Sequence, residues 1–213
     1  MSIPELEFWV LDAAPVPRAA MPTLAFRLRA RDHSEREVYT VALSVQVRIE
    51  AAQRPHDEAT RERLYELFGE PERWGDTARG VLWTRRELLL PSFTGSVTHD
   101  LHVPLSADAE LASFKYFNAL PDGDVPMSFH FSGTVFYVGE EQRLQLTQVS
   151  WSAEAQYRLP IETWQRALAE HYPPGGYVHL SDETLEALRE LRGRRGFLSL
   201  DAVLADLAMG ART

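Results

Sequence analysis

The side chains able to do chemistry in this sequence are few and scattered. Seven histidines are spread over 213 residues, and only Thr98-His-Asp-Leu-His102 places two of them beside a carboxylate. On a β-strand Asp100 and His102 share one face while His99 takes the other, so the run offers at most two ligands to one metal ion. A third would have to come from elsewhere, and His130 is the candidate. Asp100, His102 and His130 together define an enzyme hypothesis, a metal- or base-dependent hydrolase. The competing reading makes the first two the polar face of an exposed strand. It makes His130, between Phe129 and Phe131 and on the same face as Ser128 and Ser132, a hydrogen-bonded residue at a sheet edge.

Other reactive patterns are absent or incomplete. The acid pairs Glu70/Glu72, Asp122/Asp124 and Glu140/Glu141 have no apolar pocket beside them in the sequence to split their pKa values, as general acid/base work requires. Asp122-Gly-Asp124 runs into Val125-Pro-Met127, strand character where a calcium loop needs more oxygen ligands. GxSxG, GxGxxG and HExxH do not occur. There is no cysteine, which removes disulfides, thiolate nucleophiles and Cys-ligated zinc or iron–sulfur sites. Lys115 is the only lysine, so Schiff-base chemistry would rest on it alone. The formal charge of −9 repels phosphate backbones. No catalytic residue, metal or cofactor is expected on these grounds, and no nucleic-acid partner.

One loop is rich in contact-making residues: Phe68-Gly-Glu-Pro-Glu-Arg-Trp-Gly-Asp-Thr77, followed by Trp83. Two roles are open. Trp74 can plug the end of a β-structure, with its indole N–H bonded to a carbonyl and Arg73 paired with Asp76. Alternatively Arg73, Trp74, Asp76 and Trp83 form a partner-binding surface, since tryptophan and arginine are the residue types that anchor interfaces.

The elements carrying these residues are mostly strands. Leu24, Phe26 and Leu28 alternate with Arg27, Arg29 and Arg31, and Val41, Leu43, Val45, Val47 and Ile49 line one face of a longer run, the period-2 signal of half-buried antiparallel strands. Further strands are expected at Glu7–Ala13, Val81–Leu90, Val97–Val103, Met127–Val138 and Leu144–Leu159. The expected fold is mainly β: an antiparallel β-sandwich of about seven to nine strands over residues 1–159, with a helical insertion at 56–69. The segment Asp108–Ala119 fits a helix and a bent strand equally well.

Phe93-Thr-Gly-Ser-Val97 and Phe131-Ser-Gly-Thr-Val135 echo each other. A glycine inside each strand pattern points to a bulge or a close backbone approach in two neighbouring strands. After Pro160 the period becomes 3.6. Ile161, Trp164, Leu168 and Tyr172 line one helix, Ser181 starts a second and Ser199 a third. Residues 160–213 are thus a segment of three short helices, too small for a core of its own and expected to pack on the sandwich or on a partner. The N-terminus is acidic, with no apolar signal core, and no stretch reaches the ~20 apolar residues of a membrane span. A cytoplasmic protein without membrane insertion is expected; its oligomeric state is open.

Several of these stretches carry a resemblance: Pro22-Thr-Leu-Ala-Phe-Arg-Leu-Arg29, Phe68-Gly-Glu-Pro71 with Arg73-Trp-Gly-Asp-Thr77, Phe93-Thr-Gly-Ser96, Lys115-Tyr-Phe117 with Ala119-Leu120 and Asp122-Gly123, Phe131-Ser-Gly-Thr-Val-Phe136, and Tyr157-Arg-Leu-Pro160 with Trp164. Jointly they resemble a family of uncharacterised bacterial proteins, common in actinobacteria, whose genes lie in clusters for uptake nickel–iron hydrogenases. That family has no assigned reaction or catalytic residues. It often has a cysteine in the strand matching Ala42–Ile49, which this chain lacks. The resemblance implies a non-catalytic accessory protein that binds a hydrogenase subunit or maturation factor. The rival expectations are the hydrolase above and a small-ligand carrier, which would need a sizeable apolar cavity between the sheets.

Overall fold

The computed structural model describes residues 3–34, 36–78, 80–105, 111–139, 143–171 and 180–210. Two antiparallel sheets face each other. One has three strands in the order β1 (Leu6–Pro15), β2 (Thr23–Asp32), β6 (Ser96–Pro104). The other has six: β4 (Val81–Leu90), β3 (Glu37–Ile49), β7 (Asp124–Val138) and β8 (Leu144–Gln148) in that order, with β5 (Phe93–Thr94) also pairing β3 and β9 (Glu154–Pro160) also pairing β7. This is the expected sandwich. Its core follows from the alternation: Leu24, Phe26 and Leu28 of β2 and Val41, Leu43, Val45, Val47 and Ile49 of β3 are buried. Phe26 meets Phe129 and Trp83 edge-on, and Phe8 stacks on Phe131 at 4.2 Å. The space where an internal ligand would lie is occupied by these rings and aliphatic chains.

The two echoed glycines do different work, and they are not on neighbouring strands. Gly95 (φ 76°) sits where the chain leaves β5, paired with β3, and enters β6, paired with β2. It is the corner at which one run of chain changes sheets. Gly133 (φ 149°) lies opposite Leu43 in unbroken register, and a Cβ there would stand 2.0 Å from the Ala42 carbonyl oxygen. Gly133 therefore marks a close backbone approach, with no bulge.

The single strand expected over Leu144–Leu159 is two. Val149 N donates to Gly133 O and Phe131 N donates to Ala153 O, so the turn Ser150-Trp-Ser152 loops out opposite Ser132. β8 and β9 pair in succession with the same side of β7. No glycine or proline marks that turn.

The helical insertion is α1 (Glu58–Phe68), capped by Asp57, whose side chain accepts from Thr60 N at 2.9 Å, and stopped at Gly69. A short helix α2 (Trp74–Thr77) follows. The ambiguous segment is helical as α3 (Leu111–Ala119). The helix is what lets Phe114 and Phe117, three apart, both meet the ring of Trp164 in α4 (Ile161–Ala169). Buried Ile161, Trp164 and Ala167 pack α4 against β1, β2 and β9.

The chain divides after residue 173 into two compact units. The first of the three C-terminal helices, α4, thus belongs with the strands. The second unit holds α5 (Asp182–Arg195) and α6 (Leu200–Gly210), which contact each other. Ser181 Oγ accepts from Thr184 N and Ser199 Oγ from Ala202 N, as caps do. Tyr172, the Pro173-Pro-Gly-Gly176 breaker, His179 and the Glu140/Glu141 pair lie outside the described residues. Among the described residues no helix is long and apolar enough to cross a membrane.

The two glycines should respond differently to alanine. Gly133→Ala forces two backbones apart and should cost about 2–4 kcal/mol in urea unfolding. Gly95→Ala meets no atom within 4 Å and should cost only the positive-φ penalty, about 1–2 kcal/mol.

Candidate functional site

The most developed cluster of polar groups lies on the outer face of the six-stranded sheet. Arg48 and Glu50, two apart at the end of β3, share that face and hold the backbone of one residue, Gly80, in the loop after α2. Arg48 Nε donates to Gly80 O at 2.9 Å, and Gly80 N donates to Glu50 Oε2 at 3.1 Å. Glu50 Oε1 accepts from Ser128 Oγ at 2.6 Å, and Ser128 Oγ lies 3.2 Å from His130 Nε2. Glu154 of β9, directly across from His130 in the register, holds Oε2 3.9 Å from His130 Nδ1. With Gln53 and Gln156 these residues line an open cleft of about 610 Å³.

The order Glu154, His130, Ser128 invites comparison with a nucleophilic triad, and the hydrogen bonds argue against it. A serine hydroxyl has one proton to give. Here the Glu50 carboxylate takes it, so His130 Nε2 is the donor to Ser128, the reverse of what a general base must do. Ser128 is buried. The row is a staple joining β3, the Gly80 loop, β7 and β9. The sequence placed Ser128 and His130 on one face; Glu50, just past its strand and 78 residues from Ser128, carried no local signal.

The expected convergence of Asp100, His102 and His130 does not occur. Asp100 and His102 lie on β6, on the outer face of the three-stranded sheet, in a separate cleft with Arg27, Thr98 and His99. Asp100 sits directly opposite Arg27 and pairs with it at 3.2 Å, and this carboxylate raises the arginine's pKa. His130 is on the outer face of the other sheet. Sandwiched sheets pack about 10 Å apart, so side chains on opposite outer surfaces cannot meet one metal ion or one substrate bond. Among the described residues no group of three or more His, Asp or Glu side chains is placed to hold a metal. Lys115 is exposed and paired with Glu66 at 3.2 Å.

The tryptophans expected as possible partner anchors are core residues. Trp74 is 6% exposed and Trp83 4%. The Trp74 indole donates to Gly69 O at 2.9 Å, the plug role, and its ring meets His56 and Phe68 edge-on. Trp83 packs on Phe26 and Phe117. Neither offers a surface anchor. Arg73 is exposed, and the side chain of Asp76 lies outside the described residues. On α5, Arg189 pairs with Glu186, Arg194 with Glu190, and Arg195 with Asp206 of α6.

His56 is a buried polar residue that the sequence did not single out. Its Nε2 lies 3.3 Å from the hydroxyl of buried Tyr116. Burial, reinforced by the charges of Arg54 and Arg61, lowers its pKa from the ordinary 6.5 to about 4. Burial raises the pKa of Tyr116.

The sequence matches, over residues 3–213, a family of unknown function, DUF6084. The chain belongs to that family. No curated protein matches the sequence. Among solved structures, the DUF6084 chain is similar to the CARDB domain of a Pyrococcus furiosus protein, with 9% identity, 74% of this chain and 87% of that chain covered, and a TM-score of 0.29. It is similar also to β-glucosidase 3B from Thermotoga neapolitana, with 14% identity, 74% and 17% covered, and a TM-score of 0.27. At such scores these likenesses carry no argument about activity.

His56 makes stability pH-dependent. Between pH 6.5 and 4 the unfolded chain binds a proton at this position that the folded chain refuses, so stability falls as pH drops through that window. Relative to His56→Phe, the wild type should lose on the order of 1–2 kcal/mol between pH 7 and pH 4.5 in urea titrations. Equal slopes for the two proteins would contradict this placement of His56.

Proposed function

We propose that this DUF6084 protein is a non-catalytic accessory protein of the cytoplasm that works by binding another protein. The observation that supports it most is the disposition of the outer face of the six-stranded sheet. Leu89 of β4, Phe136 of β7, and Leu144 and Leu146 of β8 fall on that face by register, and the three leucines are largely exposed. They make an apolar band, with Leu89 on the β4 side of Ala42 and Thr40 and the others on the β7/β8 side, at one end of a face whose other end is the Glu50–Ser128–His130 staple. Exposed apolar surface rimmed by polar groups is the usual character of a protein-contact site. The histidines and carboxylates that chemistry would need are split between two surfaces or engaged with each other.

The partner follows from the sequence resemblance. That resemblance implies a gene neighbourhood shared with uptake nickel–iron hydrogenases, so the partner we propose is a hydrogenase subunit or maturation factor. A chain without cysteine has no thiolate to hold nickel or an iron–sulfur cluster, which fits a role exerted by contact.

Co-expression of the tagged full chain with the structural subunits and maturation factors of such a gene cluster should retain one of them in stoichiometric amount. Leu89→Glu, at a position 68% exposed, should lower that retention about tenfold with the unfolding midpoint unchanged. Retention of none of these proteins by the wild type would overturn the hydrogenase assignment. Equal retention by Leu89→Glu would remove the apolar band from the contact.

A further inference from the structure

The six-stranded sheet ends on two dissimilar edges. At one edge β4 carries Arg85 and Glu87 on the outer face and Arg86 on the inner face, opposite Val45. The buried Nε of Arg86 has no hydrogen-bond partner among the described residues. Charges on an edge strand, one of them turned inward, discourage pairing with another chain. At the other edge β8 reads Leu-Gln-Leu-Thr-Gln, with no charge and no proline. Leu144 and Leu146 are 59% and 63% exposed, and among the described residues β8 pairs with no strand but β7.

The hydrogen-bond phase of the β7/β8 hairpin tells which backbone groups β8 leaves free. Gly139 N donates to Arg143 O and Val149 N donates to Gly133 O, so the mutually bonded pairs are the odd-numbered ones, including Tyr137/Gln145 and Val135/Thr147. The N–H and C=O groups of Leu144, Leu146 and Gln148 therefore point away from β7, along the open edge.

We propose that two copies of this chain pair antiparallel through β8, with Leu146 of each copy at the two-fold axis. A two-fold contact must be self-complementary, and this strand is. In that register Leu146 faces its own counterpart, Leu144 faces Gln148, and Gln145 faces Thr147, so no charge meets a like charge. That matters for a chain of formal charge −9, in which two copies repel over most of their surfaces and approach at least cost where charge is absent. A foreign extended peptide is a poorer occupant, because strand addition draws its selectivity from charges or side-chain pockets beside the edge and β8 supplies no charge. The pairing makes one continuous sheet across the dimer and joins the apolar bands of the two copies through Leu146. It is independent of the hydrogenase proposal and is read by mass alone.

The test is light scattering or sedimentation of the full chain from about 1 µM to about 0.5 mM. The wild type should approach twice the 24.2 kDa chain mass as concentration rises. Two variants address the edge. Leu146→Pro removes an N–H that the hairpin does not use, and Leu146→Lys puts two like charges at the axis. Both should raise the dimer dissociation constant at least about tenfold, whereas Leu89→Lys on the far edge should leave it unchanged. A wild type of single-chain mass throughout would overturn the proposal. So would a dimer that survives both Leu146 variants. A monomer with slow hydrogen exchange at Leu144 and Leu146 would show that another segment of the chain covers the edge, and would overturn it too.

Discussion

The architecture depends on a single long strand. β7 hydrogen-bonds to β3 along one side and to β8 and β9 in turn along the other, and the period-2 alternation sorts its side chains. Val125, Met127, Phe129, Phe131 and Val135 enter the core; Ser128, His130, Ser132, Thr134 and Phe136 form the outer row. Slipping this strand by one residue would exchange the two sets. Gly133 holds the register from within, since only a residue without a side chain lets β7 approach the Ala42 carbonyl so closely. The staple, the apolar band and the open edge are three stretches of the surface that β7 organises.

That arrangement keeps Asp100 and His102 apart from His130. Histidines and acids on strands are dealt to one face or the other by parity, and to one sheet or the other by topology. Asp100 and His102 went to the outside of the smaller sheet, and His130 to the outside of the larger. At each place the nearest polar neighbour is a structural partner: Arg27 for Asp100, Ser128 and Glu154 for His130. Among the described histidines the one with a strongly lowered pKa is His56, which is buried against Tyr116 and Trp74 and keeps a neutral ring in an aromatic cluster.

Much of the fold was legible in the sequence because local physics decides it. β4 runs from Val81 to Leu90 as the alternation indicates, Asp57 and Gly69 bound α1, and Ser181 starts α5. What was not legible depends on contacts distant in sequence. The division of β8 from β9 is set by which stretch of β7 each pairs with, and Ser150-Trp-Ser152 announces its turn only by serines, a weaker signal than glycine or proline. α3 is a helix because Trp164 and Phe68 await its rings. The fate of Trp74 and Trp83 was undecidable by type, since tryptophan serves interfaces and cores alike. The candidate site was legible only in part: Ser128 and His130 on one face, without the Glu50 that takes the serine proton.

On the proposed function this protein acts by surface contact, with its histidines and acids in structural roles. Complementation separates the two directly. In cells deleted for the gene, hydrogenase activity should be restored by a triple variant, Asp100→Asn, His102→Gln and His130→Gln, and should not be restored by Leu89→Glu present at the same level. Loss of activity with the triple variant and full rescue by Leu89→Glu, both proteins folded and abundant, would overturn the proposed contact role.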